Sequence, residues 1–385
     1  MASDCKIEVK KKIASREIPN YEMDKDRSWT DIPTELLELI MSHLFLQDCT
    51  RFRLTCKSWM SIRPPLRSHH LLFPSHCGSQ HLPWLIAFLK NNSKGTCKFY
   101  NPVYGDSYVI DIPELAGANV RSAKYGWLLV SRGRSNIFFF NPFSMETIQL
   151  PDFEEDINLS CISFSSPPTS TDFIVFARCS FMMFVYYQGE ERWKLYSLGD
   201  NVVPKEFVAP CNPVFSDGIF YFLSEDGKLG VLKPNEVDED ARWRILPVSP
   251  VFSYSTFEDF AQSRSSYLVE YDSEIFSIFV SHQGKKIWVF KYDRSKEEWN
   301  VVENLADKVL FLSHTASILV PVGLKGIQNR IYFPRFHLKD NVSNDVVFYS
   351  LSTSSYHCFG NECSRGDWTN TCELWHCAWV QSSEH

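Results

Sequence analysis

The feature that most constrains this chain is a repeated strand–turn–strand pattern between about residue 83 and residue 380. Each unit is an apolar strand, a polar turn and a second strand opening on an aromatic or β-branched residue, the composition that suits a pleated, half-buried surface. The units fall at residues 98–102 with 108–113, 137–142 with 147–151, 183–187 with 193–196, 229–232 with 243–247, 287–290 with 299–302, and 346–349 with 356–359. Their starts are 39, 46, 46, 58 and 59 residues apart. Propeller blades repeat every ~40–50 residues. A further strand pair precedes most units: residues 120–130, 161–164 with 173–177, 213–223, 267–271 with 275–280, and 309–312 with 330–333. Asp217-Gly218 and Asp226-Gly227 are tight-turn dipeptides of the hairpin kind. Four strands per unit, six times over, predict a mainly β fold with a six-bladed propeller, within a range of five to seven blades. The first unit is one strand short, and residues 374–380 have a strand to spare. The two ends are therefore predicted to pair and close the ring, which removes exposed sheet edges. A pair of β-sandwiches is the alternative.

Ahead of this β-body, residues 29–62 have a helical period. Pro33 suits a first helical turn, and Glu35 places negative charge at the helix N-terminus. Leu36, Leu37, Ile40, Met41 and Leu44 form one apolar stripe. Asp48 can cap a second short helix carrying Phe52 and Leu54, and residues 57–59 open a third, ended by Pro64-Pro65. About 35 residues cannot bury much core alone, so the segment leans on something else. From the residues alone it is either a partner-docking module or a helical hairpin packed on its own β-domain. Residues 1–28, with Lys6, Lys10, Lys11, Lys12 and Arg16, read as a disordered lead-in, and residues 64–82 as a Pro- and His-punctuated linker. The domain reading is 1–28 lead-in, 29–63 helical module, 64–82 linker and 83–385 propeller.

The helical segment resembles an F-box. Ile32-Pro33, Glu35-Leu36-Leu37, Ile40, Leu44 and residues 54–59, ending Cys56-Lys57-Ser58-Trp59, follow the family pattern in order and spacing. Ile32 replaces a Leu, and Thr55 replaces a Val. The resemblance implies a three-helix module that docks a Skp-type adaptor and, through it, a cullin–RING ubiquitin ligase. Ile32, Pro33, Leu36, Leu37, Ile40, Leu44, Cys56 and Trp59 would lie on or support that docking surface.

The β-body resembles the plant KIB-type propeller that often follows an F-box. The matching pieces are Pro83-Trp84-Leu85, Gly126 to Leu129, Phe140-Asn141-Pro142-Phe143, Asp217 to Tyr221, Tyr267 to Glu270, and Gly326 through Arg330 to Pro334. The resemblance spans roughly residues 83–380. The stretch at residues 251–266 is longer than a bare inter-blade loop needs, and its Phe252, Tyr254, Phe257 and Phe260 are candidates for contacting a target.

Other function classes find little footing. A net charge of −7 supplies no basic footprint for nucleic acid. No apolar run reaches the length of a membrane span, and no apolar export signal follows the N-terminus. The twelve cysteines therefore read as reduced thiols of a cytoplasmic and/or nuclear protein. The group His69, His70, His76, Cys77 and His81 fits no standard zinc spacing, and Cys358, Cys363, Cys372 and Cys377, with His357 and His376, sit at the loose end of zinc-like spacings and read as buried thiols by default. Phosphate-loop, nucleophile-elbow and zincin motifs are absent from the sequence. The reading is a non-catalytic substrate receptor without a cofactor, docking the adaptor at one end and an unidentified target protein at the other. A propeller that binds a small ligand or glycan, and an F-box scaffold that does not lead to degradation, are the alternatives.

Overall fold

The computed structural model describes residues 32–42, 52, 55–60, 82–88, 93–102, 107–153, 157–179, 182–197, 209–225, 227–238, 242–246, 248, 265–322, 326–337, 346–358, 361–362, 368 and 371–381. The chain divides into two compact units, Met1–Leu71 and Leu72–His385.

In the first unit, α1 spans Thr34–Ser42 and α2 spans Lys57–Met60. Pro33 stands just ahead of α1, and its carbonyl accepts hydrogen bonds from the amides of Leu36 (3.1 Å) and Leu37 (3.2 Å). The middle helical piece expected around residues 48–54 lies largely outside the described residues.

The second unit is a six-bladed β-propeller. Blade 1 joins Cys377–Val380, Trp84–Phe88, Thr96–Tyr100 and Ser107–Asp111 in that spatial order. The chain's last described strand thus pairs antiparallel with the propeller's first, Leu85 opposite Trp379 and Ile86 opposite Ala378. Blades 2 to 5 are four-stranded meanders, each entered at its inner strand: Ala118–Lys124, Cys161–Phe164, Val214–Ser216 and Ser265–Tyr271.

Blade 6 departs from the sequence reading. Lys308–Phe311 and Arg330–His337 are neighbours but parallel, not a hairpin. Between them in the chain, Ile318–Pro321 folds back antiparallel to Lys308–Phe311 and takes the inner edge beside the inner strand of blade 5. A four-residue strand holding one proline gives a weak period-two signal, so the extra strand was not legible.

Six hydrophobic clusters hold the ring, one between each successive pair of blades. Phe138, Phe140, Leu128 and Val130 of blade 2 pack with Ile86 and Phe99 of blade 1. Trp127, Leu129, Ile137 and Phe139 of the same strands turn the other way, onto Phe164 and Val175 of blade 3. Further clusters join blades 3 and 4, 4 and 5, and 5 and 6. The sixth joins Phe311 and Tyr332 of blade 6 to Leu85 and Trp379 of blade 1. Both faces of each central strand are buried, which explains runs such as residues 137–140 where a one-sided sheet would alternate. Full burial of one such side chain contributes about 1.5–3 kcal/mol.

Buried and half-buried aromatic side chains add a polar tie at nearly every seam, since their tips need partners there. Trp193 Nε1 donates to Pro151 O (2.7 Å), and the Tyr187 hydroxyl to Pro234 O (2.6 Å). Trp299 Nε1 donates to Gly227 O (3.0 Å), Tyr356 Oη to Gly284 O (2.7 Å), and Trp379 Nε1 to Leu312 O (2.9 Å). Gly284 lies at φ +64°, and a Cβ there would stand 2.6 Å from the Tyr356 hydroxyl. Only a glycine fits that seam.

Candidate functional site

The amphipathic period of α1 sorts its residues sharply. Leu37 is buried with Trp59, against half-buried Ile32, Phe52 and Cys56. Phe52 stacks on Trp59 with ring centroids 4.3 Å apart. Leu36, Leu39 and Ile40 are 52%, 56% and 41% exposed, and Pro33 is exposed beside them. The expected docking residues therefore separate into an inner support of Ile32, Leu37, Cys56 and Trp59 and an outer apolar face of Pro33, Leu36 and Ile40. Leu39 joins that face, at i+3 from Leu36; the sequence reading missed it because it followed the stripe through Leu37, Ile40, Met41 and Leu44. Leu44 lies outside the described residues, as do Phe252, Tyr254, Phe257 and Phe260.

In the propeller, chemistry-bearing groups gather where the inner strands meet. Tyr125–Gly126, Asp217–Gly218 and Asp272–Ser273 have positive φ at both positions, the turn geometry that matches strand twist. These turns end the inner strands of blades 2, 4 and 5 at one end of the ring. Lys124 Nζ lies 2.9 Å from Glu270 Oε2, joining blade 2 to the opposite blade 5. The other Glu270 oxygen accepts from Ser273 N (3.0 Å), and Ser273 Oγ donates to Asp217 Oδ1 (3.1 Å). Arg294 pairs with Asp217 Oδ2 and donates to Ser216 Oγ (2.9 Å) and Ser273 O (2.8 Å). The Arg294 hydrogen bond holds the Asp217 carboxyl below the usual carboxylate range.

Toward the other end, Asn212 bridges three blades. Its Nδ2 donates to Arg121 O (2.6 Å) in blade 2 and Thr315 O (2.9 Å) in blade 6, and its Oδ1 accepts from Ile162 N (3.1 Å) in blade 3. Thr315 Oγ1 in turn donates to Cys377 O (2.5 Å) on the closing strand. Nothing about a single Asn ahead of a strand marks this role in the sequence.

Most cysteines among the described residues behave as core. Burial pushes the thiols of Cys97 and Cys211 up to about 12 and that of Cys161 up to about 11. Cys377 is buried and donates to Leu374 O (2.9 Å), while Cys372 is exposed. Among the described residues no group of His, Cys, Asp or Glu is arranged to hold a metal ion. No helix among them is long and apolar enough to cross a membrane.

Comparison with known proteins agrees with both units. Residues 29–62 match the F-box domain, and residues 99–350 match the KIB1-4 beta-propeller. An F-box/kelch-repeat protein of Arabidopsis thaliana is 28% identical over 90% of this chain and 94% of its own length. A second from the same plant is 29% identical over 84% of each chain. The Arabidopsis F-box/kelch-repeat protein KIB1 is 24% identical over 87% of this chain and 86% of its own length. A propeller match over most of the chain, behind an F-box match and among plant F-box relatives, places this chain in the KIB1-4 β-propeller family of F-box proteins.

Proposed function

We propose that the chain is the substrate-recognition subunit of a Skp–cullin–F-box ubiquitin ligase in the cytoplasm and/or nucleus. The observation that carries this reading is the exposed apolar face of Pro33, Leu36, Leu39 and Ile40, in a segment that matches the F-box, on a helix anchored by Leu37 and Trp59. Three large exposed aliphatic residues on a nine-residue helix are unusual unless a partner covers them. The partner is a Skp-type adaptor, which links the chain to a cullin–RING ligase. The rigid propeller presents loops to a target protein, the common use of loops on a stable scaffold. The chain then works by proximity: it holds target and charged enzyme together so that transfer becomes nearly intramolecular. Ubiquitin chemistry takes place on other subunits, and this chain supplies no catalytic residue and needs no cofactor.

Pull-down with a plant Skp-type adaptor tests the docking step. The wild-type chain should recover adaptor, and Leu36→Ala/Ile40→Ala should lose at least tenfold of it, since buried apolar anchors dominate such interfaces. Equal recovery by both, or none by the wild type, contradicts the reading.

A further inference from the structure

The inner strand of blade 2, Ala118–Lys124, carries a β-bulge. Val120 faces Val130 and Ser122 faces Leu129, which leaves Arg121 between them as the extra residue. A bulge re-aims the side chain it carries, and bulges recur next to functional sites. This one is fixed in place, because Asn212 Nδ2 donates to the Arg121 carbonyl (2.6 Å). The half-buried Arg121 side chain reaches across to the second strand of the blade, where its Nε donates to Ser131 Oγ (2.8 Å). Asn119 stands opposite Ser131 in register and is exposed on the same face of the blade.

That one hydrogen bond leaves the rest of the guanidinium unserved. Among the described residues, Nη1 and Nη2 of Arg121 meet no carboxylate and no carbonyl. Other half-buried arginines are held differently. Arg335 pairs with Glu373 (2.8 Å), while Arg242 and Arg330 give Nη2 to the carbonyls of Glu236 (2.9 Å) and Gly326. Burial lowers the Arg121 pKa from its ordinary value, and no acidic group offsets it. A charge withdrawn from water without a counter-charge is costly. Two free Nη groups on a planar fork match the two oxygens of one carboxylate. One positive charge balances one carboxylate, whereas a phosphate dianion would leave a charge unmatched. The chain's net charge of −7 does not decide a contact at this guanidinium, since fields are screened beyond ~8 Å at physiological salt.

We propose that Arg121 is an anion-recognising residue of the ring, where it receives the carboxylate of an acidic side chain of the target protein, with the Asn119 amide beside it. The inference rests on the reading of the ring as the part that holds a target. Its test uses neither adaptor nor target, so its failure and the failure of that reading are distinguishable.

The experiment is an NMR titration of the full chain that follows the Arg121 Nε–Hε signal, assigned by its absence from Arg121→Gln. The signal of exposed Arg134 serves as the reference. The probes are acetyl-Gly-Glu-Gly-amide, acetyl-Gly-Gln-Gly-amide, acetyl-Gly-Gln-Gly with a free carboxyl terminus, and inorganic phosphate. The glutamate peptide should shift Arg121 about tenfold more than it shifts Arg134, and about tenfold more than the blocked glutamine peptide does, the scale of one charge-assisted pair. Arg121→Gln keeps an N–H donor where Nε stands, so Ser131 stays paired, and it removes the unpaired charge. Its melting temperature should match or exceed that of the wild type, and the glutamate peptide should no longer move the backbone amides of Asn119 and Ser122. Four results overturn the proposal: no shift with the glutamate peptide, equal shifts at Arg121 and Arg134, a stronger response to the free terminus or to phosphate, or a lower melting temperature in Arg121→Gln, which would mark the guanidinium as already satisfied within the ring.

Discussion

At the scale of single residues, exposure separates roles that sequence motifs merge. Leu36 and Leu37 are adjacent and chemically identical, yet one is 52% exposed and the other 3%. Leu37→Ala should cost the N-terminal unit about 2–5 kcal/mol and unfold it locally, read as rapid amide exchange over Thr34–Ser42. Leu36→Ala should leave that exchange unchanged. Asn212 is the comparable residue in the ring. Asn212→Ala strands the Ile162 amide and two carbonyls at the axis, so denaturant unfolding should show a loss of about 2–3 kcal/mol. The buried thiols make a prediction in pH. Burial raises Cys97, Cys161 and Cys211 from 9.0 to about 12, 11 and 12, so the unfolded chain releases these protons first. Their contribution to stability is whole below pH 9 and is lost as pH rises through about 11–12. Chemical denaturation at pH 8 and pH 10 should show the loss, and Cys97→Ala/Cys161→Ala/Cys211→Ala should flatten it. A thiol reagent at pH 8 should label exposed Cys372 quickly and these three only on unfolding.

At the scale of elements, legibility in the sequence followed the strength of the period. Blades 2 to 5 were readable because their strands are apolar. Their hairpins appear in the structure where the sequence placed them, with ends within a few residues. The pairing of the chain's two ends was readable for a different reason: one unit lacked a strand and the tail had one over. Blade 6 was not readable. Its inner strand, Ile318–Pro321, is short, and the sequence pattern cannot report that it comes after its neighbour Lys308–Phe311 in the chain. The contacts across the axis were equally hidden, since Lys124, Asn212 and Glu270 are far apart in sequence and meet their partners only when the ring closes. The closing strand is the element on which that meeting depends. Trp379 is wholly buried, contacts Phe311 at 5.0 Å between centroids, and ties to Leu312 O. Trp379→Ala should cost about 3–5 kcal/mol and lower the melting temperature by several degrees or more, whereas Trp375→Ala, at a 65% exposed indole on the same segment, should change it little.

At the scale of the whole molecule, the propeller is built for rigidity. Each blade is stabilised by both neighbours, no blade is terminal, and aromatic side chains tie the seams. Such a ring can present loops in fixed geometry while a short helical module engages a second protein. The proposed division of labour between the units is the central claim: apolar residues in α1 would recruit the ligase, and the ring would hold what is to be modified. The most direct measurement is the mass of the complex formed when the full chain is co-expressed with a Skp-type adaptor and passed over a sizing column with light scattering. The account predicts a stable one-to-one complex for the wild-type chain, and a monomer with an intact propeller melting transition for Leu36→Ala/Ile40→Ala. A wild-type chain that elutes free of adaptor, or a double variant that still forms the one-to-one complex, would contradict it.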